Sequence, residues 1–355
     1  MNFTLGHAVR GAAVGGLLLG SVSFAQAQDD NTINILVSNE RTASVYPVLV
    51  GQAMGFFEAE GLKVNFLSSA TTVPYVAFLQ NGDADLVMLD APQTFQAVNA
   101  GLPVSVVYEA MQFAPEGIVV DAGSDYQSLT ELKGKTVGLA SDRDSTTTTI
   151  ALEAVGLTID DVTTVVVGDS GPIIAGAIRN GQIDAFAGGS VDRFGMEAAG
   201  IPFRDLTPSA VSENPANSFV IWNDRKEEIR PKVEKFLRAW TLAAQAGLVD
   251  IAATSAACKS IVPEQWEDPN FGRRLHSYAV YTTTVQRTRL RGQPQPEVWK
   301  SIQPALIRVG EIQAEIDPAT FLDGSFIEAA NAYNDSDLRK TVADWKEAHK
   351  DLLMQ

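Results

Sequence analysis

Cysteine is nearly absent from this 355-residue chain. The lone Cys258 excludes an internal disulfide, a Cys-x-x-Cys redox pair and a cysteine-rich metal site. It also lies far from the N-terminal segment, which excludes lipid attachment at a new N-terminal cysteine. Its neighbours, Ala256 and Ala257, make it a small residue of a helix rather than a reactive thiol. Histidine is as scarce, with only His7, His276 and His349. A nucleophilic triad needs a histidine base, and His276 and His349 both fall on helical segments as core or surface residues. There is no H-E-x-x-H pair and no phosphate loop, and Gly188-Gly189-Ser190 is not a G-x-S-x-G elbow. No catalytic residue, metal site or cofactor is therefore expected, and the chain reads as a non-enzyme. Cations are in deficit, 27 Lys and Arg against 43 Asp and Glu for a net charge of −16. That balance excludes nucleic acid as a partner, because phosphate contacts need clustered positive charge.

Long apolar runs are missing beyond the first residues. The N-terminal segment has Arg10, a glycine-rich apolar stretch to about Phe24, and the small-x-small triplet Ala25-Gln26-Ala27. This pattern predicts a signal peptide over residues 1–27, cleaved near Ala27/Gln28, and an exported mature chain. No later stretch approaches the roughly 18 apolar residues of a spanning helix.

What the sequence has in abundance is one recurring phrase. Short runs of Val, Ile and Leu occur at 33–37, 64–67, 86–89, 104–108, 117–120, 136–139, 162–167 and 185–188. Such runs suit strands buried on both faces. After most of them comes a polar residue, frequently a proline, then a helical stretch and a glycine. Ser44, Pro47 and Gly55 are one set; Asp90, Pro92 and Gly101 another; Ser170, Pro172 and Gly181 a third. The polar side chain accepts orphan amide hydrogens of the first helical turn. Proline fits that turn, and glycine ends the helix in the left-handed conformation. Repeated βα units of this kind predict an α/β protein with mostly parallel sheets. From residue 224 onward the chain reads as mainly helical.

Four stretches resemble one family. Gly55-Phe56-Phe57-Glu58-Ala59-Glu60-Gly61-Leu62-Lys63-Val64 is similar to a G-x-F-x-x-x-G-L-x-V signature. Leu79 to Leu86 and Ile178 to Ala185 each carry a Gly-x-x-Asp phrase, and Leu132-Lys133-Gly134-Lys135-Thr136-Val137-Gly138 is similar to L-K-G-K-x-V-G. Together, in this order, they resemble the substrate-binding proteins of ABC importers for nitrate, sulfonates, taurine and thiamine-pyrimidine precursors. The resemblance implies a two-lobed, type II, Venus-flytrap periplasmic binding protein. Lobe one would be residues 28–110 plus 224–355 and lobe two residues 113–222, with hinges near 109–113 and 219–223. It further implies a monomer that captures a small solute between the lobes and presents it to an inner-membrane permease. A receptor serving a sensor protein would share that cleft. The family also has an enzymatic branch that makes the thiamine pyrimidine with a cysteine-rich iron site, which one cysteine cannot supply.

In open α/β sheets ligands bind where strands run into helices. The first such loop offers Asn39, Arg41 and Tyr46, the second Ser69 and Thr71, and the third Asp90. The other lobe offers Ser141, Arg143, Ser145 and Thr146, beside Asp144, then Asp169 and Ser170, then Ser190 and Asp192, beside Arg193. Glu109 and Trp222 fall at the crossings. Each of these polar residues reads equally as a helix cap. Carboxylates outnumber arginines among them, which points to a ligand with donor groups: an aminosulfonate zwitterion or a heteroaromatic amine.

Overall fold

The computed structural model describes residues 31–37, 40–67 and 74–353. The signal peptide expected at residues 1–27, and the candidate site residues Asn39, Ser69 and Thr71, lie outside the described residues.

Ten strands form two five-stranded sheets. The first holds β1 (Thr32–Leu36), β2 (Lys63–Leu67), β3 (Leu86–Leu89) and β4 (Val104–Glu109). The second holds β5 (Gly117–Asp121), β6 (Thr136–Leu139), β7 (Thr163–Val166), β8 (Ala185–Gly188) and β9 (Phe203–Asp205). The chain then returns, and β10 (Ser218–Trp222) enters the first sheet. The strand orders are β2-β1-β3-β10-β4 and β7-β6-β8-β5-β9. Parallel pairing joins β1 to β2 and β3, and β6 to β7 and β8. β10 pairs antiparallel with β3 and β4, and β5 with β8 and β9. Each sheet therefore has four strands running one way and one reversed. The reversed strand is the first the chain enters after crossing between sheets.

β9 and β10 are additions to the eight strands read from sequence. Residues 218–222, assigned there to lobe two and to a hinge, belong to the first sheet. A central position between β3 and β4 buries Phe219, Val220 and Ile221 completely, which a crossing segment would not do.

Helices alternate with strands as the phrasing predicts. In the first lobe α1 (Tyr46–Ala53) and α2 (Phe56–Ala59) follow β1, α3 (Val76–Asn81) follows β2, and α4 (Ala91–Asn99) follows β3. In the second, α5 (Asp144–Glu153) follows β6, α6 (Gly171–Arg179) follows β7, α7 (Ser190–Ala198) follows β8, and α8 (Ser209–Ser212) follows β9. The Gly-x-x-Asp phrase has the same job in both lobes. Gly82 and Gly181 take positive φ, 77° and 65°, and end α3 and α6. Asp85 then accepts the Asn34 amide of β1 at 2.9 Å, and Asp184 accepts the Thr136 amide of β6 at 2.9 Å.

The C-terminal part is helical: α9 (Lys226–Val249), α10 (Ile251–Ile261), α11 (Pro269–Thr284), α12 (Pro296–Ser301), α13 (Gln303–Arg308), α14 (Ile327–Ala330), α15 (Asp335–Ala348) and α16 (Lys350–Leu353). α9 lays Val233, Phe236, Leu237, Trp240 and Ala244 along one stripe at helical spacing. Phe236 stacks on Phe57 with centroids 5.5 Å apart, and Trp240 meets Phe219 edge to face at 4.8 Å. The second lobe has a smaller core of its own around Phe186, Ile174 and Met196. Among the described residues no helix is long and apolar enough to cross a membrane.

Candidate functional site: an acidic interlobe cleft

The turns leaving β3, β6 and β8 face one another across the two lobes. Asp90 caps α4, accepting the Gln93 amide at 2.7 Å, while Gln93 Oε1 accepts the Asp90 amide at 3.2 Å. Asp144 begins α5 and accepts both the amide and the hydroxyl of Ser141 at 2.8 Å. Asp192, in the first turn of α7, accepts the Gly189 amide at 2.9 Å. Glu116 reaches the same space from the crossing segment that precedes β5.

Shared electrostatics tie these carboxylates together. Burial pushes Asp90 up to about 6, against the pull of the Gln93 amide and Arg143, and nearby Glu311 and Asp144 add to the rise. Burial pushes Glu116 up to about 7, reinforced by Asp90 and Asp144. Asp192 is pushed to about 7 by burial, with Asp144 and Asp169 adding to it. Asp144 is raised too, again by burial first. Like charges held together out of water resist ionising together. The cations nearby are few. Arg193 is buried and committed: its guanidinium donates to Asp205 at 3.0 Å and to the Pro115 carbonyl at 2.5 Å. Arg143 is exposed at the start of α5 and acts on both Asp90 and Asp144.

The cleft thus offers acceptors in excess of donors. Such a surface suits a ligand bearing amino or protonated ring nitrogens, whose hydrogens the carboxylates would accept. Among the described residues no group of three or more His, Cys, Asp or Glu is arranged to hold a metal ion.

Several residues nominated from sequence are in this cleft: Asp90, Ser141, Arg143, Ser145, Thr146 and Asp192, with exposed Asp169 acting on Asp192. Ser170 precedes α6 without a side-chain capping bond, and Ser190 is buried at the start of α7. Three nominations, Tyr46, Glu109 and Trp222, do not hold as cleft contacts. Tyr46 is fully buried, and its hydroxyl donates to the Ala244 carbonyl at 2.5 Å, because the first turn of α1 rotates this side chain toward α9. Glu109 is buried with its carboxylate saturated by the Gln295 amide, the Gln295 side chain and the Trp299 indole at 2.7–2.9 Å. Trp222 ends a reversed strand and pairs with Val104, at the start of β4 and so at the end of the sheet away from the cleft. Arg41, beside residues that lie outside the described ones, pairs with Glu264 at 3.0 Å and donates to the Ile261 carbonyl at the end of α10.

Two cleft residues were missed. Glu116 lies between strands rather than after one, outside the βα turns that were searched. Glu311 comes from the C-terminal helices, and only tertiary contact brings it near Asp90.

Residues 42–250 match the family model described as NMT1/THI5 like. A Haemophilus influenzae protein named for thiamine biosynthesis is 30% identical over 175 residues, 49% of this chain and 53% of that protein. The 4-amino-5-hydroxymethyl-2-methylpyrimidine phosphate synthase of Schizosaccharomyces pombe is 26% identical over 158 residues, 44% of this chain and 45% of the enzyme. The chain thus matches about half the length of these curated relatives. Among solved structures, the periplasmic aliphatic sulphonate binding protein of Escherichia coli superposes with a TM-score of 0.64 at 15% identity, covering 83% of this chain and 94% of that one. That likeness establishes the two-lobed periplasmic binding protein fold. The expectation of a non-enzyme is corrected by the fission-yeast relative, which is named as a synthase: scarcity of cysteine and histidine does not remove a chain from a group that includes enzymes. With more than half of its length matched by the family model, the chain belongs to the NMT1/THI5-like family.

Proposed function

We propose that this protein is the periplasmic solute-binding component of an ABC import system and that its cleft takes a small heteroaromatic amine of the aminopyrimidine kind. The observation that carries the reading is the convergence of Asp90, Glu116, Asp144 and Asp192 with raised carboxyl pKa values. A sulfonate or nitrate would meet four carboxylates and, at the mouth, the Arg143 guanidinium. An aminopyrimidine would donate to the carboxylates, with the buried ring of Tyr75 next to Arg143 as an apolar wall. The names of the thiamine-related relatives agree with that ligand class. The lobes would move about the two crossings, residues 110–116 and 206–217.

The test is thermal melting of residues 28–355, stripped of ligand by unfolding and refolding, against aminopyrimidines, taurine, alkyl sulfonates and nitrate. A ligand at about 100 times its Kd adds about 2.7 kcal/mol. A shift with aminopyrimidines alone supports the reading; a shift with sulfonates or nitrate alone overturns the amine assignment. Loss of aminopyrimidine uptake on gene deletion separates import from signalling. The synthase name of the fission-yeast relative favours a second reading, in which the same cleft forms or modifies the pyrimidine. Mass spectrometry of the ligand recovered after incubation distinguishes them, since a binding protein returns it unchanged.

A further inference from the structure

The part of the chain beyond the family-matched segment contributes a contact that neither sheet supplies. α13 and the turn after it are anchored on the first lobe. Leu306 and Ile312 are buried in one cluster with Phe95, Trp299 and Phe321, a cluster that continues to Ile150 and Val211 of the second lobe, and the Gln303 side chain clamps both the amide and the carbonyl of Ile316. From this base Glu311 extends between the lobes. One carboxylate oxygen accepts from Gln96 Nε2 of α4 at 2.6 Å, and the other accepts from Thr146 Oγ1 of α5 at 2.5 Å. α4 belongs to the first lobe and α5 to the second. These are the helices whose N-termini carry Asp90 and Asp144, so the bridge spans the acidic cleft beside its carboxylates. Arg308, one turn earlier, adds an ion pair to Glu153 of α5 at 2.8 Å.

A second junction between the lobes has a different character. There α11 meets α7 through Phe194 against Tyr278 at 5.3 Å, the Arg193 guanidinium over the Tyr278 ring, and an Arg274–Glu197 ion pair. Aromatic faces can slide while staying covered. The Glu311 bridge cannot, because its two acceptor bonds are directional and are made at one separation of α4 from α5. Gln96 is exposed and Glu311 is half-buried, so on opening water can replace the bond between them.

We propose that Glu311 is a positioning residue that fixes the closed separation of the lobes, a single carboxylate joining Gln96 to Thr146. The proposal rests on the reading of the cleft as the ligand site, but the bridge itself does not depend on which ligand enters. It assigns to the C-terminal segment the role of setting how often the cleft is preformed. A cleft that is closed only part of the time binds with an apparent Kd raised in proportion.

The experiment is small-angle X-ray scattering of the ligand-free protein, with melting curves to verify folding, paired with titration of the aminopyrimidine that gives the largest shift. Glu311→Ala should enlarge the radius of gyration and weaken that ligand about tenfold, the scale of losing a charge-assisted hydrogen bond. Thr146→Val should open the protein in the same way. Glu311→Gln should keep the wild-type radius, because an amide can accept from one partner and donate to the other once Gln96 turns its own amide over. An unchanged radius for Glu311→Ala overturns the proposal. So does Glu311→Gln expanding as far as Glu311→Ala, which would make charge, and not the hydrogen-bonded bridge, the cause. If no aminopyrimidine binds the wild type while Glu311→Ala still expands, the ligand assignment fails and the bridge stands.

Discussion

The two lobes are built on one plan and differ in what surrounds it. Both sheets set a parallel trio beside a reversed strand and a co-directional edge strand. Both use an aspartate after a helix-ending glycine to hold the neighbouring strand's amide. The balancing groups are not the same. Asp85 is paired with Arg225 at 2.9 Å and lies 3.9 Å from Lys232, cations of the C-terminal helical part. Asp184 is satisfied by the Tyr126 hydroxyl at 2.8 Å, from its own lobe. The aspartate of the first lobe is thus fastened by charge to a later part of the chain, whereas that of the second is held by hydrogen bonds from its own lobe. The cleft is divided unequally as well. Of its four raised carboxylates only Asp90 comes from the first lobe; Asp144 and Asp192 come from the second, and Glu116 from the crossing between them.

Breaking the shared aspartates should expose that difference most. Asp85→Ala leaves a partly buried arginine and a strand amide without their partner, and should cost about 3 kcal/mol in urea unfolding. Asp184→Ala strands only neutral donors and should cost about 2 kcal/mol. Equal losses, or the reverse order, would remove the distinction between an aspartate fastened by charge from a later part of the chain and one held within its own lobe.

The cleft substitutions come next and should move stability and binding in opposite directions. Asp192→Asn and Asp90→Asn each remove a carboxylate that burial disfavours, so the ligand-free protein at pH 8 should gain about 1 kcal/mol. Ligand affinity should fall by about 10-fold or more, since a charged hydrogen bond is worth roughly 1.5–3 kcal/mol. A variant that lost stability and kept its affinity would mark its carboxylate as a structural cap.

The pH dependence follows from the same groups. Asp90, Glu116 and Asp192 titrate in the folded protein near 6–7, above their unfolded values of about 4. The folded state therefore holds more protons than the unfolded one between about pH 4 and 7, and the stability these groups contribute is lost as pH rises through that window. Melting of the ligand-free protein should accordingly rise when the pH is lowered from 8 to about 6, and Asp192→Asn should flatten that slope. A melting temperature that falls over the same range would show the cleft carboxylates ionised in the folded state.

The smallest effect belongs to Tyr46→Phe. Losing the bond to Ala244 should lower stability by about 1 kcal/mol and leave ligand affinity unchanged. A change in affinity would return Tyr46 to the cleft.

The strands buried on both faces were legible because runs such as 86–89 have no polar interruption, and the loops were legible because caps and helix-ending glycines have local causes. The reversed strand β10 was not. Its run of Phe219, Val220 and Ile221 is plainly apolar, but no local pattern states that it inserts between β3 and β4. Tyr46 and Trp222 were misplaced for a related reason: position after or near a strand fixes the backbone, while helical rotation and strand direction decide where the side chain goes. Glu116 and Glu311 carry no local signal at all, since each reaches the cleft through segments whose path is set by packing elsewhere.

The insertion of β10 also dictates an order of assembly. Every strand of the second sheet lies within residues 117–205, an uninterrupted stretch. The first sheet is different, because β3 and β4 stand a full strand apart until residues 218–222 arrive, with more than a hundred residues between β4 and β10. Closing so long a loop is entropically costly and kinetically late. The sheet begun first along the chain is thus completed last, and a fragment ending at residue 217 would contain a whole second lobe beside a first lobe with a missing centre.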